Sequence, residues 1–289
     1  SAQLIFRAFS TVRYHTPVLE NIVRDLQDDQ EKGVQCEEKV ARIKINKSIQ
    51  LDNIEYTYPG SKNKVLNGFC MNIKPNSTVG IVGASGSGKT TLINILLGLI
   101  APDKGSVMVD NAKITGKNIC SWRASIGYVP QDVFVSDDSI INNITFGRKE
   151  GEINMSVIKE VTSLAELDEF VQSTTGGYHG GLGERGSKMS GGQRQRLGIA
   201  RALYNAPSAI VFDEATSALD SITERKIMDS IHNLQKNHTI IMVAHRVSTL
   251  RRCDVIYMLK NGKIQDSGTY EYLIKNNSTF AKMAEDKFE

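Results

Sequence analysis

The residues best placed to act together are Gly83-Ala84-Ser85-Gly86-Ser87-Gly88-Lys89-Thr90. Their spacing is a glycine, four free positions, then glycine, lysine and a hydroxyl residue. Glycines let the backbone wrap closely round an oxyanion with its N–H groups turned inward. Lysine adds a point charge and threonine a hydroxyl for a hard cation, so the chemistry is the holding of a phosphate chain and its Mg²⁺. Asp213-Glu214 closes an apolar run that starts at Ser208. On a strand, adjacent carboxylates point to opposite sides; one can hold Mg²⁺ through water while the other orients an attacking water. His245 ends a second such run, Thr239 to Ala244, and suits a γ-phosphate contact. Gln131 stands just past the strand pattern Ile126-Gly127-Tyr128-Val129, at the strand edge where open α/β sheets gather ligand groups. Ser190-Gly191-Gly192-Gln193 opens another helix, which is either a second anion-binding start or a simple N-cap. Tyr58 is either a base-stacking aromatic or a half-buried sheet residue.

These groups need elements to hold them. Thr78-Val79-Gly80-Ile81-Val82 reads as a buried strand and Thr91 to Gly98 as an apolar helix, so the glycine run sits between strand and helix. That order favours nucleotide binding over a merely flexible turn. Before it, residues 41–73 alternate as short strands, an antiparallel flank on a parallel core. The runs ending at Asp213 and at Ala244 are apolar throughout, as in parallel strands buried on both faces. Met155 to Val161 and Leu164 to Val171 read as amphipathic helices of an inserted lobe, followed by the glycine-rich stretch from Gly176 to Gly186. A hairpin turning at Lys260-Asn261-Gly262-Lys263 and two polar helices finish the chain.

Composition narrows the class. The chain has 289 residues, 40% hydrophobic and 23% charged, enough for a full core. A net charge of +3 gives no support to nucleic acid as a partner. Cys36, Cys70, Cys120 and Cys253 are scattered without metal-ligand spacing and are expected as reduced thiols. No stretch is long and apolar enough to span a bilayer, and no signal peptide opens the chain. In the first residues Leu4, Ile5, Phe6, Phe9 and Val12 are apolar, and Val18, Leu19, Ile22, Val23 and Leu26 recur at helical spacing. Two readings fit: an amphipathic helix packed on the domain, or the stub of a larger partner region.

With these motifs in order, residues 42–289 resemble the nucleotide-binding domain of ABC transporters. The resemblance implies an α/β P-loop NTPase core with a mainly parallel sheet, an antiparallel β flank and a helical subdomain at about 150–205 within a domain at 41–289. Tyr58 matches the A-loop aromatic, Val65 the apolar flank of adenine, and Gly83 to Thr91 the ATP phosphate site. Gln131 matches the Q-loop, Ser190-Gly191-Gly192-Gln193 the signature, and Ser217 and Asp220 the D-loop. Asp213 matches the magnesium aspartate, Glu214 the catalytic glutamate and His245 the switch histidine, with Thr90, Gln131 and Asp213 centring Mg²⁺. Gly183-Glu184-Arg185-Gly186 looks like the extra loop of exporters; Met189 departs from the usual leucine of the signature at similar volume. Arg13-Tyr14, Pro17, Leu19-Glu20 and Asp25-Leu26 are similar to the segment that joins the last membrane helix to this domain in polysaccharide exporters and lipid-linked oligosaccharide flippases. Phe134, Ser136 to Ile140 and Asn143-Ile144 resemble that group too. Residues 1–40 are then a linker or the end of a membrane domain.

The resemblance implies an ATPase that pairs head to tail with a second copy or paired half. It would work with a transmembrane domain, expected in the same full-length chain, at the cytoplasmic face of the cell membrane, this fragment itself being soluble. The implied cargo is lipid-linked or polysaccharide, with peptides or drugs as the alternative. Two rival functions are a soluble ABC ATPase of DNA repair or translation and a nucleotide-gated interaction module without turnover. The first typically carries long coiled coils or tandem domains, absent here; the second does not need Glu214 and His245.

Overall fold

The computed structural model describes residues 2–32, 36, 40–215, 221–234, 238–244 and 246–285. Ser217, Asp220 and His245 therefore lie outside the described residues. The chain divides into two units, residues 1–40 and 41–289.

The first unit holds helix α1, Ala2–Lys32, which runs through Pro17. Thr16 Oγ1 donates to the Val12 carbonyl at 2.7 Å, within the turn that precedes the proline. The apolar series forms one continuous helix, and Leu4, Ile5, Phe6, Phe9, Val12, Val18, Leu19, Ile22 and Val23 are all exposed on it. Among the described residues, no helix is long and apolar enough to cross a membrane.

The second unit contains two sheets. Strands β1 (Ile49–Tyr56) and β2 (Leu66–Ile73) come first, followed by β3 (Thr78–Gly83) and helix α2 (Lys89–Leu96). Then come β4 (Lys104–Val109), β5 (Ala112–Lys113), α3 (Ile119–Arg123) and β6 (Ile126–Val129). Helices α4 (Ile140–Thr145), α5 (Met155–Leu164), α6 (Asp168–Ser173) and α7 (Gly191–Tyr204) follow. The last part is β7 (Ala209–Asp213), α8 (Ser221–Leu234), β8 (Thr239–Val243), the hairpin β9 (Val255–Lys260) and β10 (Lys263–Gly268), α9 (Tyr270–Asn276) and α10 (Ser278–Glu285).

The expected antiparallel flank is the four-stranded sheet β2-β1-β4-β5. The core is a six-stranded sheet in the order β10-β9-β3-β8-β7-β6, parallel from β9 to β6 with only β10 antiparallel. Between their ends its central strands are apolar because both faces are covered. Val79 and Ile81 of β3, Val211 of β7 and Ile241 of β8 face one core, shared with the antiparallel sheet and α2. Val82, Ile210, Phe212 and Met242 face the other, shared with the helical region.

Some boundaries differ from the sequence reading. The lobe's helical pattern breaks after Leu164 and restarts at Asp168. Glu166 adopts φ 54° and its N–H bonds to the Ser163 carbonyl, a left-handed stop that lets Ala165 and Leu167 both turn inward. Helix α7 starts at Gly191 with Ser190 as its N-cap. Cys70 and Cys253 are free thiols while Cys36 and Cys120 are not, so the expectation of four reduced thiols holds for two of them. Scatter along a sequence does not tell which sulfurs meet the geometric demands of a disulfide.

Trp122 ties α3 to the end of α2. It is fully buried, and its indole Nε1–H donates to the Leu96 carbonyl at 2.7 Å. Trp122→Phe should lower stability by about 1–3 kcal/mol, since it leaves that carbonyl buried and unpaired and opens a small void. Urea unfolding with an unchanged midpoint would contradict this.

Candidate functional site

The parallel strands all deliver their C-terminal ends to one edge, where chain reversals free backbone groups for ligands. Strand β3 ends in Gly83 and α2 begins at Lys89, with the glycine loop between them. Gly88, the N-cap of α2, sits at φ 103°, and a Cβ there would come within about 3.1 Å of the Val65 carbonyl. At Gly83 an added Cβ would come to 2.5 Å from the Leu259 carbonyl. The loop is therefore squeezed between β9 and the start of β2, and only glycine fits at either end. Among the described residues no side chain caps α2, so its first N–H groups remain available to an anion.

Lys89 is buried, and its Nζ donates to the carbonyls of Gly83 at 2.8 Å and Ala84 at 3.1 Å. Burial pulls the pKa of the ammonium down, and the carboxylates of Glu214 and Asp213 oppose that. Asp213 ends β7 and Glu214 directly follows it, and β7 is separated from β3 by β8 alone. Asp213 pairs in register with Val243 of β8, and Val243 with Ile81 of β3. Two stretches far apart in sequence thus meet across one intervening strand.

The two carboxylates do not share a strand, contrary to the sequence reading. Asp213 is the last residue of β7, but Glu214 turns to φ 53° and donates its N–H to the Val243 carbonyl at 3.0 Å. Strand alternation no longer governs where Glu214 points, because the backbone has already left the extended region. A left-handed non-glycine residue costs energy and is common where a side chain must be aimed. Asp213 has its carboxyl pKa raised by burial, against the lowering effects of Tyr128 and Lys89.

Tyr128 is the residue that sequence reading missed. It lies on β6, and its hydroxyl donates to Asp213 Oδ2 at 3.3 Å. Burial and the Asp213 charge push its pKa to about 12, so it stays a hydrogen-bond donor through the neutral range. No spacing rule could have found a contact made across neighbouring parallel strands; the one available hint was an aromatic three residues before Gln131.

Tyr58 lies beyond the end of β1 and is mostly exposed, its hydroxyl sharing a 3.0 Å hydrogen bond with Thr91 Oγ1 on α2. Its ring packs edge-on against Tyr56, with centroids 5.1 Å apart. Val65 donates its N–H to the Tyr56 carbonyl at 2.8 Å and lies against Gly88. Ser87 Oγ is buried without a hydrogen-bond partner among the described residues, and Thr90 is exposed at the start of α2. An exposed hydroxyl, a carboxylate and an uncapped helix start are donors suited to a triphosphate with Mg²⁺, so these residues fit both groups. Gln131 is exposed past β6, and its side chain forms no hydrogen bond among the described residues.

Ser190 to Gln193 stand apart from this cluster; no hydrogen bond joins them to residues 83–90 among the described residues. They form a full capping box: Gln193 N–H donates to Ser190 Oγ at 3.2 Å and Ser190 N–H to Gln193 Oε1 at 2.8 Å. Met189 fills the leucine position as a buried residue of the helical core.

Residues 66–217 match the family described as "ABC transporter". The chain belongs to the ABC transporter family. It is an ATPase domain of the exporter type. This ABC domain is 35% identical over 260 residues to ABC transporter B family member 29, chloroplastic, of Arabidopsis thaliana, covering 90% of the chain and 41% of that protein. It is 34% identical over 253 residues to the ATP-dependent lipid A-core flippase of Wigglesworthia glossinidia brevipalpis, covering 86% of the chain and 43% of the flippase. A bacterial Atm1-family ABC exporter solved with ATP bound superposes with a TM-score of 0.84 at 31% identity, over 97% of the chain and 49% of the exporter. The chain thus spans less than half the length of these relatives.

The buried charge at Asp213 gives a testable expense. Its raised pKa means the folded chain binds a proton there more readily than the unfolded chain does. Stability from this group is therefore greatest at acid pH and falls as pH rises through the folded pKa. Without Mg²⁺, Asp213→Asn should raise the unfolding midpoint near pH 7.5 by roughly 2 °C, and the gain should vanish under acid conditions. A midpoint that drops at both pH values would contradict this reading.

Proposed function

We propose that this domain binds and hydrolyses Mg-ATP at a site completed by a second copy or paired half, and so drives transport by an exporter. The carrying observation is Lys89: it is buried under the glycine loop yet within electrostatic reach of both Asp213 and Glu214. A loop that only turned the chain would not bring two carboxylates to its lysine.

In this reading Lys89, the loop N–H groups and Thr91 hold the ATP phosphates, with Gly83 to Thr90 as cradle. Tyr58 stacks on adenine and Val65 flanks it. Thr90, Asp213 and Gln131 would hold Mg²⁺, which when bound neutralises charge between the outer phosphates. Tyr128 keeps Asp213 aimed. Glu214 accepts a hydrogen bond from the attacking water and orients it; catalysis is then mainly positioning and electrostatics. His245 holds the γ-phosphate, and Ser217 and Asp220 form the D-loop beside the partner. Ser190, Gly191, Gly192 and Gln193 cap the γ-phosphate bound by the other copy. That no hydrogen bond joins them to the glycine loop among the described residues supports this division.

Residues 1–40 are read as the end of a membrane domain in the same full-length chain, and 41–289 as the ATPase domain with its helical subdomain at about 150–205. The match to the Arabidopsis protein covers more residues than 41–289 contains, so the likeness reaches into that first segment. The setting is the cytoplasmic face of a membrane. The cargo class is lipid-linked or polysaccharide, supported by the name of the flippase relative.

Lys89→Ala should weaken ATP binding by about 10-fold or more, since it removes a charged phosphate contact; calorimetry giving an unchanged affinity would remove Lys89 from the site. Glu214→Gln should still bind ATP while phosphate release falls by about 10²–10⁴-fold. Near-native turnover would move the water-orienting role elsewhere.

A further inference from the structure

Asn143 is fully buried on α4, in a part of the chain that the nucleotide site does not use. Its side chain is saturated. Oδ1 accepts from Ser136 N–H at 2.9 Å and Ser136 Oγ at 3.1 Å. Nδ2 donates to the carbonyls of Ser136 at 3.1 Å and Ser139 at 3.0 Å. Its backbone carbonyl accepts from Arg201 Nε at 2.8 Å, with Arg201 Nη2 a further 3.5 Å from Oδ1. The side-chain amide thus clamps the segment after Gln131, while the Asn143 backbone carbonyl, with the longer Oδ1 contact beside it, ties that segment to Arg201 of α7.

Arg201 makes this clamp unusual. Burial lowers its pKa, and among the described residues it has no carboxylate partner; its guanidinium rests on the Phe146 ring at 5.0 Å and on Asn143. A cation kept in such a place at a desolvation cost must be held for geometry. The same segment is also tied by backbone to the glycine-rich loop: Leu182 N–H donates to the Asp138 carbonyl at 3.0 Å and Ile140 N–H to the Gly180 carbonyl at 3.2 Å. That loop runs directly into Met189 and the capping box that starts α7. The start of α7 is thus held from two sides, through its preceding loop and through Arg201 farther along the helix.

We propose that Asn143 and Arg201 are positioning residues that lock Ser190 to Gln193 in a fixed relation to the segment leaving Gln131. The inference rests on the paired-site reading above. Its function is to make any displacement at Gln131 a displacement of the surface that meets the partner's ATP. Helix α2, which the phosphate loop opens, packs in the other core, so the loop does not depend on this lock.

The test uses the whole chain in a Glu214→Gln background, with sedimentation in Mg-ATP and calorimetric ATP binding by the protomer. Asn143→Ala should leave protomer ATP affinity within about twofold and weaken the ATP-driven dimer by about 10-fold or more. With Glu214 intact it should lower kcat more than it changes KM. Arg201→Lys, which keeps the charge but loses the fork, should act in the same direction and add little to Asn143→Ala. Dimerisation and kcat that are native per folded molecule in both variants would overturn the inference and leave a merely structural amide. If the Glu214→Gln parent with Asn143 intact fails to dimerise on ATP, the paired-site reading falls, and this inference with it.

Discussion

A buried ammonium organises this domain. Lys89 sits under its own loop on two carbonyls, and the desolvation it suffers there is offset by carboxylates delivered from β7. Neither side can relax alone. The loop cannot open outward, because Gly83 and Gly88 are wedged against β9 and the start of β2. The acids cannot retreat, because β7 is held between β8 and β6 with apolar side chains on both faces. An anion brought to this place meets a charge that is already oriented and half stripped of water. Such preorganisation is where electrostatic catalysis gets its strength.

The sheet order explains how the site is assembled. Strand β8 lies between β3 and β7, so the loop and the acids are one strand apart even though most of the helical region separates them in sequence. The polar groups gather only at the C-terminal edge, as the parallel arrangement requires. Below that edge the same strands are apolar on both faces. The left-handed turn at Glu214 occurs where extended chain gives way to this polar edge, and it separates the directions of two adjacent acids.

The helical region follows a different logic. The box at Ser190 satisfies its own helix start, Asn143 saturates its own loop, and Arg201 joins the two. Within one chain these bonds brace the start of α7 from two sides. It is a fitting design for a surface that acts on something outside the chain. The Glu166 stop serves the same end, since it turns two apolar residues inward in place of one continuous helix.

Much of this could be read before any coordinates. The glycine spacing at 83–90, the apolar runs ending at Asp213 and Ala244 and the capping pattern at Ser190 are local, and local chemistry survives in sequence because turns, caps and buried strands each demand particular residue types. The family resemblance added roles for Ser217 and Asp220; these two and His245 lie outside the described residues. What sequence could not contain is distance between remote segments. That Tyr128 bonds Asp213, that Tyr58 bonds Thr91, and that Glu214 leaves the strand are outcomes of parallel register and sheet order. Arg201 looked like any arginine on an amphipathic helix until the fold set it on Asn143. Sequence by itself determined which residues can bind phosphate, cap helices and fill strands. Only the tertiary structure decided which of them share a charge, because electrostatic coupling and hydrogen bonding depend on distances of a few ångströms that periodicity does not encode.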